Sequence, residues 1–122
     1  MEQRVEMAFA LQELKVDSIP LNILMPVKGT PLAHAKPLSD DEILISFALF
    51  RFINPRAHIR LAGGRASLAH MHDRVLHSGI SAALVGDYLT TIGTTIAHDK
   101  ELFSASGFTL DHELNTQVSD EL

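Results

Sequence analysis

The sequence predicts an α/β protein built on a parallel sheet, with elements in the order αβαβαβα. Short apolar runs recur at 18–24 (SIPLNIL), 57–62 (AHIRLA) and 81–86 (SAALVG). Longer stretches with helical spacing stand before, between and after them. Glycine, proline and asparagine punctuate the junctions, as turns between alternating strands and helices require.

Each element follows from its residues. Residues 2–15 place Val5, Ala8, Phe9 and Leu11 at three- and four-residue spacing among charged positions, which predicts a helix. After the first strand, MPVKGTPLAHAKPL is a loop, broken by Pro26, Gly29, Pro31 and Pro37. Ser39 and Glu42 form an S-x-x-E capping box that opens a helix over 40–53. Asn54-Pro55 ends it. Gly63-Gly64 turns the second strand into a helix over about 66–78, closed by Gly79. A loop, DYLTTIGTT, follows the third strand, and a last helix over 96–105 stops at Gly107. The end of the chain, 109–122, is polar and acidic and is expected to be a loosely ordered tail behind a domain spanning 1–108.

Composition narrows the function classes. A chain of 122 residues holds one modest core. Its net charge of −5 argues against phosphate-seeking nucleic-acid binding. No apolar run is long enough for a membrane span, and the first residues, MEQRVEMAFALQELK, lack the basic start and cleavage site of a secretory signal. A cytoplasmic, membrane-free protein is the expectation. There is no cysteine, so this chain supplies neither disulfides nor thiolate metal ligands.

Two features do not fit a self-sufficient domain. Three parallel strands leave two open edges. Between Ile43 and Ile53 only Ser46 and Arg51 are polar, and a helix apolar nearly all round expects protein on most sides. Both features suggest a piece of a larger assembly or a chain completed by a partner. A closed (β/α)8 barrel needs about 200 residues or more, so the chain cannot close one alone.

Strand residues alternate faces. Ile19, Leu21 and Ile23 share one face, as do Ala57, Ile59 and Leu61. The other face carries Asn22, His58 and Arg60. In an open sheet that face meets water and Arg60 is unremarkable. In a barrel it meets the lumen, where a lone guanidinium is costly unless paired or ligated. By pattern alone, a strand arginine beside Gly-Gly is more often structural or surface, and a strand asparagine more often a satisfied amide.

Three segments together carry a resemblance: DSIPLNILMPVKGTPL (17–32), ALFRFINPRAHIRLAGGR (48–65) and GDYLTTIGTT (86–95). The chain from Met1 to about Phe108 resembles the C-terminal third of the biotin synthase family of radical S-adenosylmethionine enzymes, including the tail region shared by biotin and thiamin synthesis proteins. The resemblance implies a partial (β/α)8 barrel made of about three C-terminal parallel strands with flanking helices. It implies a homodimeric sulfurtransferase that inserts sulfur into dethiobiotin to form biotin. That family uses a 4Fe–4S cluster on a C-x-x-x-C-x-x-C loop to cleave S-adenosylmethionine, and a second cluster, usually 2Fe–2S, as the sulfur source. Three cysteines and one arginine hold the second cluster.

Residue by residue, the resemblance places the cluster-ligating arginine at Arg60 and an asparagine near substrate and S-adenosylmethionine at Asn22, and it puts Met25 beside the adenine. The cysteine loop and the cysteine partners of Arg60 have no counterpart in the sequence. The expectation is therefore a C-terminal piece that needs a missing N-terminal barrel portion and retains no cluster alone. The alternative is a non-catalytic fragment or interaction module. Arg65 and Lys28 read as salt-bridge or solvated residues as readily as ligand contacts. His70, His72 and His77 lack the spacing of a helical zinc pair, which favours structural or surface roles.

Overall fold

Helix α1 (Glu2–Glu13) buries one side only: Ala8 is enclosed, Val5 and Leu11 are half-buried, and Phe9 stays exposed. It ends in a Schellman motif, with Val16 N–H donating to Leu11 O and Lys15 N–H to Gln12 O. The left-handed position of that motif is held by Lys15, at φ 53°, where glycine is the usual occupant. The computed structural model describes residues 1–84 and 95–109, which belong to two compact units meeting at 84/85.

The first unit holds a sheet of three parallel strands in the order β1–β2–β3, with β1 at Ser18–Leu21, β2 at His58–Leu61 and β3 at Ala82–Ala83. Ile19 pairs with Ile59 and Leu21 with Leu61, and Arg60 lies between Pro20 and Ala82 in register. Alternation works as expected. Ile19, Ile59 and Leu61 are buried under the helices, each contributing about 1.5–3 kcal/mol relative to exposure. Pro20, Asn22 and His58, on the opposite side, are exposed, and Arg60 is half-buried. This unit has the architecture of part of an α/β barrel.

Helix α2 (Asp40–Ile53) begins where the capping box places it. Ser39 Oγ accepts from Glu42 N–H and the Glu42 carboxylate accepts from Ser39 N–H. That backbone N–H first, and the Ser39 hydroxyl second, hold the Glu42 carboxyl below the ordinary glutamate range. Ile43, Phe47, Phe50 and Ile53 face the core. Its partners are α1, β2 and the next helix. Asn54 caps the end, and its buried side-chain amide donates to Ala8 O (3.0 Å) and Phe50 O (3.3 Å), tying α1 to α2.

The helix expected over 66–78 divides in two. Residues Arg65–Met71 form a 3-10 segment, and only His72–Leu76 are α-helical (α3). The reason is local. Gly64 precedes the segment in the left-handed region and has no side chain to cap an α-turn, while Ser67 takes the Gly64 carbonyl with both its N–H and its hydroxyl. The third strand is shorter than 81–86, and residues 85–86 lie outside the described residues, as do the loop at 87–94 and the tail from 110. In the second unit, α4 (Ile96–Ala105) is capped by Thr95, whose side chain accepts from His98 N–H.

Candidate functional site

The carboxyl ends of β1 and β2 meet in a corner that the sequence builds from Asn22, Gly63 and Gly64. Ala62 N–H donates to Leu21 O, so an unbroken parallel ladder would next send Ile23 N–H to the Ala62 carbonyl. Instead it reaches one residue further, to Gly63 O at 2.9 Å. The side chain of Asn22 fills the gap: its Oδ1 accepts from Gly63 N–H at 2.7 Å. Glycine is required at 64, and at 63 any side chain would push on the Asn22 carboxamide. A Cβ on Gly63 would lie 2.9 Å from Asn22 Oδ1, and one on Gly64, at φ 79°, would overlap the Ile23 carbonyl oxygen.

Arg60 stands behind this corner, in the row of β2 paired with Pro20. Asn22 is two strand residues beyond Pro20, roughly 7 Å along the strand direction. Neither Pro20 nor Ala82 offers a side-chain acceptor. Accordingly, Arg60 Nε is buried without a hydrogen-bond partner among the described residues. A donor left in that state costs about 1–3 kcal/mol, so the residue is poorly explained as a structural one. Met25 lies past the end of β1 and is exposed, as is Lys28.

Arg65 behaves differently. It is buried, and Nη1 donates to Leu84 O at 2.9 Å, which anchors the segment after Gly64 to the end of β3. The histidines are dispersed: His70 Nε2 meets Asp40 Oδ2 at 2.8 Å and His77 Nδ1 meets Asp73 O at 2.9 Å. Among the described residues no group of three His, Asp or Glu side chains could hold a metal ion.

The residue that pattern reading missed is Arg51. Its Nε donates to Gly79 O (2.8 Å), its Nη1 to Ala57 O (2.7 Å) and Pro55 O (3.2 Å), and its Nη2 to Ser81 Oγ (2.9 Å). It thereby clamps the chain just before β2 and just before β3. The available signal was a single cation in the last turn of an otherwise apolar helix, where free carbonyls collect.

A parallel sheet with helices on one face, and a polar corner and a half-buried cation on the other, is the arrangement of a partial α/β barrel. The sequence profile of the Biotin and Thiamin Synthesis associated domain matches residues 20–109, and the chain belongs to that family. It is similar to the biotin synthase of Acetivibrio thermocellus, 51% identical over 107 residues that cover 88% of this chain and 33% of that protein. It is 48% identical over 120 residues to the biotin synthase of Porphyromonas gingivalis, covering 98% of this chain and 36% of that protein. To the biotin synthase of Desulfotalea psychrophila it is 52% identical over 110 residues, covering 90% and 33% respectively. The chain spans about a third of the length of the curated relatives it matches.

The resemblance of the sequence to radical S-adenosylmethionine enzymes carries the expectation of an iron–sulfur cluster, and the residues present can be tested against it. Arg60 is compatible with a place in such a site, because its Nε has no hydrogen-bond partner among the described residues. The rest of the donor set does not fit, because the chain has no cysteine. A cluster therefore needs thiolates from another segment.

Proposed function

We propose that the chain forms the part of a biotin synthase that carries Arg60, Asn22 and Met25, and that it works when combined with the remaining barrel portion. The completed protein is a radical S-adenosylmethionine sulfurtransferase that acts on dethiobiotin, in the cytoplasm, as a homodimer. Its clusters and S-adenosylmethionine supply the sulfur and the radical chemistry when bound. The contributions of this chain are positional. Arg60 offers a ligand nitrogen to the 2Fe–2S cluster from the sheet's open face. Asn22, fixed through its oxygen by Gly63 N–H, has its amide nitrogen left to donate to an acceptor on substrate or S-adenosylmethionine. Met25 lines the adenine side. The buried Nε of Arg60, without a partner among the described residues, is the observation that carries the reading.

Alone, the chain binds no cluster and is inactive, since one arginine cannot replace the cysteines it lacks. Co-expression with the first two thirds of a relative, such as the Acetivibrio thermocellus enzyme, in a biotin-requiring host tests the proposal. Growth without biotin is expected. A soluble complex of the two pieces that makes no biotin would overturn it in favour of a non-catalytic interaction module, the reading that the missing cysteines also suit.

A further inference from the structure

We propose that Pro20 and Ala82, the neighbours of Arg60 on either side in the sheet, are positioning residues: by offering it no acceptor they keep its guanidinium open to a group from outside the chain. The inference rests on the reading of Arg60 given above and says what in the fold maintains it. Register places Pro20, Arg60 and Ala82 in one row across β1, β2 and β3. Residues in such a row point to the same face, about 4.8 Å apart from strand to strand. The two flanking side chains are therefore the ones a strand arginine meets first.

Neither side chain carries a polar atom. The main chain of Pro20 is turned away as well. Asp17 O and Leu21 O accept from β2, and Ile23 N–H donates to Gly63 O, so the odd-numbered residues of this strand bond to β2 and Pro20 presents its carbonyl to the opposite edge. Proline suits that edge, because it has no N–H to leave unpaired there. The side chains one row away do not serve Arg60 either. Asn22 Oδ1 is engaged by Gly63 N–H at 2.7 Å, Ser18 stands opposite His58, and Arg60 Nε has no partner among the described residues.

The same fold supplies acceptors to a guanidinium elsewhere. Arg51 donates to Gly79 O and Ala57 O, and Arg65 to Leu84 O. The row around Arg60 differs from both. An acid at 20 or 82 would form a charge-assisted pair with Arg60, and any outside group would then compete with a carboxylate held permanently at contact distance.

Urea denaturation of the full chain, without cluster, S-adenosylmethionine or dethiobiotin, is the first arm of the test, so its result is separate from that of the biotin-formation assay. Ala82→Asp and the more exposed Pro20→Asp are each compared in the parent and in the Arg60→Met background. Each aspartate should favour folding at least about fivefold more beside Arg60 than beside methionine, and Ala82→Val should show no such coupling. The second arm is the completed two-piece enzyme. There Ala82→Asp should alter the absorption and electron paramagnetic resonance spectrum of the cluster as Arg60→Met does, and Ala82→Val should not. Absence of coupling for both aspartates, or coupling with a parent-like cluster spectrum, would overturn the proposal. An unchanged spectrum in Arg60→Met would instead overturn the reading beneath it, and the first arm, which involves no cluster, tells the two failures apart.

Discussion

Arg51 and Arg60 are the same side chain in opposite circumstances. Arg51, before the amino ends of β2 and β3, donates to backbone carbonyls and the Ser81 hydroxyl. Arg60, towards the carboxyl end of β2, buries its Nε with no acceptor among the described residues. The first is satisfied by the fold and explains how the strands are held. The second has no such partner among the described residues, and the proposed function gives it one from outside the chain. A division of labour of the kind a barrel assigns to its two ends, stability at the amino ends and ligand contact at the carboxyl ends, is what the proposed function expects of this pair.

Substitutions that interrogate each end sharpen the contrast. Arg51→Ala leaves a cluster of carbonyls without a donor and should destabilise the chain by about 3 kcal/mol or more in urea denaturation. Arg51→Lys should recover little, because an ammonium cannot span the same forked set of acceptors. At the carboxyl end, Gly64→Ala combines a left-handed φ with a clash on the Ile23 carbonyl and should cost about 2 kcal/mol or more, read from the same titration. Lys15→Gly relieves the left-handed lysine that ends α1 and should stabilise by about 1 kcal/mol. The smallest change is expected at Arg60. Arg60→Met should keep stability within about 1 kcal/mol of the parent, because relief of a buried donor that has no partner among the described residues is offset by the lost solvation of a half-exposed guanidinium. A loss as large as that at Arg51 would mean that Arg60 is structural and that the contrast between the two ends is false.

Much of this contrast could be read in the sequence, because alternation and capping are local rules. Period-two alternation put Arg60, Asn22 and His58 on one face, and the S-x-x-E box located the start of α2. What escaped were contacts between residues distant in the chain. The carboxamide of Asn22 holds Gly63, 41 positions away, and Arg51 reaches Ser81, 30 positions away. No window along the chain contains both partners. The 3-10 turn at 65–71 escaped for another reason: RASLAHM has ordinary helix formers, and the competition by Ser67 for the Gly64 carbonyl is a matter of geometry that composition does not record. The apolar girth of α2 reads in the sequence as a demand for more protein. The sequence left open which side would be bare, and the structure puts Phe52 there.

The central claim is that Arg60 serves a cluster and not the fold. The direct measurement is the absorption and electron paramagnetic resonance spectrum of the 2Fe–2S centre in the completed two-piece enzyme, reconstituted anaerobically with iron and sulfide, compared between the parent and Arg60→Met. The account predicts a protein of unchanged stability whose cluster spectrum is altered. Identical spectra with undiminished biotin formation would contradict it.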